Sequence, residues 1–261
     1  MKVRDFGRID GPVLLFGGPY SNAHATEAFA EIANNTPAIC TGDVVAYGGN
    51  PSETIALVRA RKWPVVAGNC KRRFAEGADN CACGFGANTT CDLLSRDWYP
   101  FAAANVAEED RLWMANLPDF GLFSHQDRRY AVIHGGVTSI SRILWPSSEE
   151  ADFVLEIAAL EAVTGQVDGI IAGHSDIAFH RRIGRHQWIN AGAIGLPPHD
   201  GRPETRFARL ENGEVAFERL GYDHQGAAAA MAGAGLTQGY HHSLVTGVWP
   251  SEDVLPPELR H

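Results

Sequence analysis

The chain reads as an α/β protein, a parallel sheet covered by helices and organised as one domain. Three features carry this reading. Short apolar runs that stop at glycine alternate with helical periodicity through the first 70 residues. The alternation returns from Arg129 onward. Near the C-terminus, an Asn-Gly pair between two β-rich runs marks an antiparallel hairpin.

Val13-Leu14-Leu15-Phe16 is a continuous apolar run ending at Gly17-Gly18-Pro19, the pattern of a strand buried on both faces. Residues from about Asn22 to Asn34 follow as a helix, with Ala25, Ala28, Phe29 and Ile32 spaced for one inward face. Ala38-Ile39-Cys40 is a short strand before Thr41-Gly42-Asp43. Pro51 to Arg61 is a helix opened by proline, with Ile55, Leu57 and Val58 available to pack. Trp63 to Val66 is a third strand, ending at Gly68-Asn69-Cys70. Residues 71–104, rich in Gly, Cys, Asn and Asp, read as an insertion over the strand ends, with short helical pieces. Glu108 to Asn116 is a helix and Arg129 to Ile133 a strand ending at His134-Gly135-Gly136. Glu149 to Val163 is an amphipathic helix through Phe153, Ile157 and Leu160, followed by the strand Gly169 to Ala172 and then Gly173-His174. Beyond His174 the pattern is antiparallel: strands at Gln187–Asn190 and Thr205–Leu210, the turn at Asn212-Gly213, and a strand at Val215–Leu220. An Ala- and Gly-rich helix over residues 226–239 leads to a C-terminal tail at 240–261, Pro-rich over its last dozen residues.

With 22 Lys and Arg against 31 Asp and Glu, the 261 residues carry a formal charge of −9. An acidic chain with no basic block does not suit bulk nucleic-acid binding or anionic membranes. A phosphorylated substrate stays open, because a bound metal can supply positive charge where side chains do not. No apolar run approaches the roughly 20 residues that span a bilayer, and the polar start Met-Lys-Val-Arg-Asp is unlike a secretory signal. The expectation is therefore a cytoplasmic protein. Its five cysteines, an odd number, point to free thiols or metal ligands rather than disulfides.

Four apolar runs end at a glycine beside a ligand-type residue: Gly42-Asp43, Gly68-Asn69, His134-Gly135 and Gly173-His174. In open α/β sheets, ligands gather beyond the carboxyl ends of strands. One such dipeptide is normally a turn, with Asp or Asn bonding its own backbone. Four in order suggest that Asp43, Asn69, His134 and His174 converge. One carboxylate, one amide oxygen and two imidazoles suit Mn, Fe, Zn or Ni.

In these residues the chain resembles the calcineurin-like metallophosphoesterases, in particular the small bacterial phosphodiesterase and diadenosine-tetraphosphatase-like branch. Thr41-Gly42-Asp43, Gly68-Asn69-Cys70, His134-Gly135 and Gly173-His174-Ser175-Asp176 look like that family's G-D, G-N-H, lone H and G-H-x-H motifs, in order. Asn190-Ala191-Gly192 resembles its downstream Asn-Pro-Gly-Ser strand. The resemblance implies a four-layer αββα sandwich, two mixed sheets flanked by helices. It also implies hydrolysis of a phosphate mono- or diester by metal-bound water. Small phosphorylated molecules or a phosphoprotein are the implied partners, and oligomers are compatible with it.

The chain departs from the family pattern at three places. Gly18-Pro19-Tyr20 stands where the family has D-x-H, Cys70 replaces the G-N-H histidine, and Asp176 replaces the last histidine of G-H-x-H. The resemblance thus implies one complete metal site at Asp43, Asn69, His134 and His174, holding one divalent transition metal. The neighbouring site has lost three ligands. Asp176 is then a candidate to orient water or accept its proton, and Cys70 a weak proton donor, since a free thiol titrates at about 8.5. Two alternatives stand beside this. A second site could be rebuilt from Tyr20, Asp176 and Asp43, although Tyr20 reads better as an aromatic whose hydroxyl bonds a neighbour. Or the site is catalytically retired and the protein binds metal or phosphate in a regulatory or scaffolding role.

Other residues carry weaker signals. Cys81, Cys83 and Cys91, with Cys70, could hold zinc, but their spacing matches no common knuckle. Arg181, Arg182 and Arg185 could meet a phosphate or form the exposed side of a strand. His24, His180, His186 and His199 read as surface or capped imidazoles, and His241-His242 as solvated.

Overall fold

The structure is a computed structural model and describes residues 1–69 and 90–261. The thiol cluster of Cys70, Cys81 and Cys83 lies outside the described residues, as does most of the 71–104 insertion.

Period-two alternation in the apolar runs dictates the layering. Val13 and Leu15 of β2 (Val13–Phe16) and Ile39 of β3 (Ala38–Cys40) point to one side, while Leu14, Phe16 and Cys40 point to the other. These strands join a four-stranded sheet of order β10-β9-β2-β3, with β9 (Thr205–Glu211) and β10 (Glu214–Leu220) forming the Asn-Gly hairpin. The second sheet has six strands: β1 (Val3–Ile9), β4 (Phe120–His125), β5 (Arg128–Val132), β6 (Gly169–Ala172), β8 (His186–Asn190) and β7 (Phe179–Ile183), in that spatial order. It too is mixed. β5, β6 and β8 run parallel, whereas β4 against β5 and β7 against β8 are antiparallel.

The middle of the molecule is where the sheets face one another. Val13, Leu15, Ile39, Ala208 and Leu210 from one sheet meet Phe123, Tyr130, Val132, Ile171 and Ile189 from the other. Outside the smaller sheet lie α1 (Ala23–Ala33), α2 (Pro51–Ala60), α3 (Thr90–Asn105), α6 (His224–Gly233) and α7 (Tyr240–Thr246). Outside the larger sheet, Ala131, Ile170 and Trp188 pack on Phe153, Ile157 and Leu160 of α5 (Glu150–Thr164). The result is a four-layer αββα sandwich. Its central strands are covered on both faces, which is why their sequences are unbroken apolar runs.

Local chemistry sets the helix starts. The Asn22 side chain accepts from the Ala25 amide at 3.0 Å, and Pro51 occupies the first position of α2, where a missing N–H costs nothing. α4 (Glu108–Ala115) opens with three acidic residues at its positive end.

Several expectations need correction. Ile32 is 48% exposed, so the inward face of α1 is Ala25, Phe29 and Ala33. Trp63 to Val66 forms no strand beyond a single bridge from Val65 to Cys40, because Pro64 offers a carbonyl but no N–H to a ladder. β8 is parallel to β6 rather than part of a purely antiparallel region. α5 is not amphipathic: Val154, Leu155 and Val163 on its outer side are 51%, 50% and 44% exposed. The chain beyond residue 239 is more than a tail: Tyr240, Leu244 and Leu255 are buried and α7 packs on α6. Among the described residues, no helix is long and apolar enough to cross a membrane.

This layering predicts a sharp contrast between two aliphatic positions. Ile171→Ala, between the sheets, lowers unfolding free energy by about 2–5 kcal/mol. Leu155→Ser, on the outer face of α5, changes it by no more than about 0.5 kcal/mol. Urea denaturation of the two variants checks this, and equal losses contradict the layer assignment.

Candidate metal centre

The carboxyl ends of β3, β5 and β6 open on one edge of the sandwich, and the turns after them carry Asp43, His134 and His174. The close approach of the turn after β3 to the segment before Asn69 needs a glycine on each side. Gly42 has φ +111°, and a Cβ there would lie 2.9 Å from the His134 ring. A Cβ on Gly68 would overlap the Asp43 carboxylate, so the backbone preceding Asn69 can approach only without a side chain.

His134 is the hub. Its Nδ1 lies 2.8 Å from the Thr41 carbonyl, which can only accept, so Nδ1 carries the hydrogen and the Nε2 lone pair points the other way. Around that Nε2 stand Asn69 Oδ1 at 3.0 Å, His174 Nδ1 at 3.1 Å and Asp43 Oδ2 at 3.2 Å. The far nitrogen of His174 is fixed likewise, 3.2 Å from the Ser141 carbonyl, which turns its Nδ1 lone pair inward. All four predicted residues therefore converge. Asp43, Asn69 and His134 are buried and His174 is half-buried.

Groups of this kind would repel one another without a cation. Burial lowers the affinity of His134 for a proton, but Asp43 and the Thr41 carbonyl outweigh it and the net shift is upward. His174 goes the other way, to about 4, through burial first and then the neighbouring His134 charge. The centre thus draws one positive charge to the point where the lone pairs meet. With both imidazoles oriented by backbone carbonyls, the donor set fits a divalent metal ion.

Beside it, the Tyr20 hydroxyl donates to Asp176 Oδ1 at 2.5 Å. Burial, then the charge of Asp176, raises the Tyr20 pKa well above its ordinary value. Burial is also the largest influence on Asp176, whose carboxyl is pushed up to about 7 although the Tyr20 bond pulls it down. Tyr20, Ser21, Asp43, Tyr47, His174 and Asp176 all have left-handed backbones, six of the eleven non-glycine residues with positive φ among the described residues. Strain of this kind, on the order of 1–3 kcal/mol per residue, persists where the surroundings over-determine it.

Two residues support the centre from behind: Asn190, which the sequence offers only as part of a family-like strand, and Glu156, which it does not single out. Asn190 donates to the Gly173 carbonyl at 2.7 Å and to Ser175 Oγ at 2.9 Å, bracing the turn that presents His174. Glu156 is fully buried on the inner face of α5; its carboxylate accepts from the Val137 amide at 2.5 Å, the Thr138 amide at 2.9 Å and the Thr138 hydroxyl, and pairs with Arg142. These contacts hold the loop carrying Ser141 and, through it, His174. The signal was a glutamate inside the apolar stripe of Phe153, Ile157 and Leu160.

Arg181 and Arg185, candidates for a phosphate, are engaged elsewhere, and Arg182 is on the exposed side of β7. Arg181 donates to the Pro146 and Ser148 carbonyls and stacks on Phe153, and Arg185 binds Glu161 and the Val167 carbonyl. His199 is buried rather than a surface imidazole: it accepts from the Trp249 amide and donates to Glu252. Cys40 is a free, buried thiol that burial pushes up to about 12. Cys70, the expected proton donor, lies outside the described residues.

Residues 20–213 match the family model for the calcineurin-like phosphoesterase superfamily domain. The chain belongs to that family. No curated protein matches its sequence. Among solved structures, a metallophosphoesterase from Sphaerobacter thermophilus superposes with a TM-score of 0.71 at 21% identity, over 92% of this chain and 100% of that one. A hypothetical protein from Pyrococcus horikoshii gives 0.74 at 14% identity, over 90% and 98%. At these identities the similarity shows the fold, which is the metallophosphoesterase sandwich.

Two predictions follow for the centre. Glu156→Ala, which removes three hydrogen bonds and leaves Arg142 half-paired, costs about 3–5 kcal/mol of stability; chemical denaturation checks it, and a loss under 1 kcal/mol is inconsistent with this bracing. Because metal ligation needs neutral imidazoles and the His134 pKa is raised, protons compete most in acid. Manganese affinity therefore falls from pH 8 to pH 6, and calorimetric titration at the two values measures it.

Proposed function

We propose that the protein is a phosphoesterase that works with one divalent metal and hydrolyses a phosphate mono- or diester. The observation that carries this is the set of lone pairs meeting at His134 Nε2, within a fold whose relatives are metallophosphoesterases. Asp43, Asn69, His134 and His174 hold the ion. When bound, such an ion polarises a phosphoryl oxygen and acidifies water.

The chain's own side chains supply orientation and proton handling. Thr41 and Ser141 fix the two imidazoles in their ligating tautomers. Asp176 lines the same cleft as Asp43 and His174, with one oxygen engaged by Tyr20, and is the acceptor for the proton of the attacking water. The Tyr20–Asp176 pair stands in for ligands that the family uses at a second metal, and the two groups satisfy each other. This favours one metal rather than a site rebuilt from Tyr20 and Asp176. We assign Cys70 a secondary role in protonating the leaving group, on sequence position alone.

Elemental analysis of protein purified without chelators tests the ligand set: one equivalent of Mn, Fe, Zn or Ni in the wild type, none in Asp43→Asn or His174→Ala, and one in Tyr20→Phe. Hydrolysis of bis(p-nitrophenyl) phosphate with added manganese falls at least about a hundredfold in Asp43→Asn, in line with losing a ligand that also carries charge. Failure to take up any of these metals sinks the catalytic reading and leaves a fold retained for binding.

A further inference from the structure

The cleft that opens on Asp43, His174 and Asp176 has walls of unusual composition. Trp145 lines it from the loop before α5, and Tyr240, Trp249 and Val254 line it from the C-terminal segment. Those last three lie beyond residues 20–213, the stretch that the family model matches. This wall is firmly attached. The Trp249 amide donates to buried His199 at 2.8 Å, its indole donates to the Pro197 carbonyl at 2.7 Å, and Glu252 pairs with His199 at 2.9 Å. Tyr240 stacks on Tyr47 with ring centroids 4.3 Å apart. Trp145 and Trp249 are each half-buried, with apolar ring surface left to the cleft.

We infer that this cleft is the seat of a planar aromatic group on the substrate, so that the substrate is an aromatic-bearing phosphate ester, either an aryl ester or a nucleotide. The inference rests on reading the adjacent centre as a phosphoesterase site. A ring in the cleft is next to the ester phosphorus when the phosphate sits at Asp43 and His174, because all of these residues border one space. Trp249 is held by its indole hydrogen bond and Tyr240 by its stacking on Tyr47 before any ligand arrives, so little freedom of these side chains is lost on binding.

The experiment is calorimetric titration of the full chain, with manganese, against three phosphonates whose P–C bonds resist hydrolysis: methylphosphonate, phenylphosphonate and the methylenephosphonate analogue of adenosine monophosphate. At least one aromatic ligand binds about tenfold or more tighter than methylphosphonate, and which of the two wins tells aryl from nucleoside. Trp249→Ala brings that ratio to within about threefold, while Trp249→Phe, which keeps a ring and loses the bond to Pro197, preserves it. If Trp249→Ala does not fold, Trp145→Ala reads the same ratio. Equal affinities, no binding by any of the three, or a preference that survives both alanine variants overturns the aromatic seat. The hydrolysis assay is independent: ring preference without turnover of any ester keeps the seat and removes the phosphoesterase reading, and turnover without ring preference does the reverse.

Discussion

The His134 imidazole is the joint on which the edge of the sandwich depends. Its ring leaves β5 of the larger sheet, and its Nδ1 bonds the Thr41 carbonyl just past β3 of the smaller one. That contact helps align the carboxyl ends of two sheets whose facing sides are packed mainly by apolar side chains. It also selects the tautomer, so the same hydrogen bond that joins the sheets aims the Nε2 lone pair at Asp43, Asn69 and His174. Structure and chemistry are thus coupled at one ring. The imidazole is equidistant, within 0.2 Å, from three groups that have no reason to approach one another unless something positive lies between them.

Support radiates outward from that ring in two directions. On one side, Glu156 pins the 137–142 loop, whose Ser141 carbonyl turns His174. On the other, Asn190 braces the Gly173 turn from the end of β8. Each residue acts through backbone groups rather than by touching the centre. A rigid scaffold with such supports is what holds donor atoms near a productive geometry.

The sequence was most readable where physics leaves few choices. Val13 to Phe16 and Gly169 to Ala172 are apolar throughout because both faces are buried, and the residues ending those runs fall where strand ends put them. Asp43, Asn69, His134 and His174 could be read for that reason. β1 could not: Val3 to Ile9 is mostly exposed, carries three charges and borrows its order from parallel pairing with β4. Trp63 to Val66 looked like a strand by composition, yet Pro64 denied it a ladder. Glu156 was legible in principle, as a charge inside a helix's apolar stripe, but only tertiary contacts reveal what it binds. The C-terminal segment misled because its proline content reads as a tail, while its anchor, His199, lies 50 residues away from Trp249 in sequence.

The left-handed backbone around the centre has a further consequence. At Asp43, Tyr47, His174 and Asp176 the conformation would be cheapest for glycine, which adopts positive φ without steric cost. The chain places large or charged side chains there instead. Relaxing those positions would ease the main chain while erasing the donors and rings it presents. For this molecule, the road toward greater thermal robustness and the road toward an emptied edge run together, so selection for a sturdier variant under conditions that ignore chemistry would drift toward glycine at these four positions.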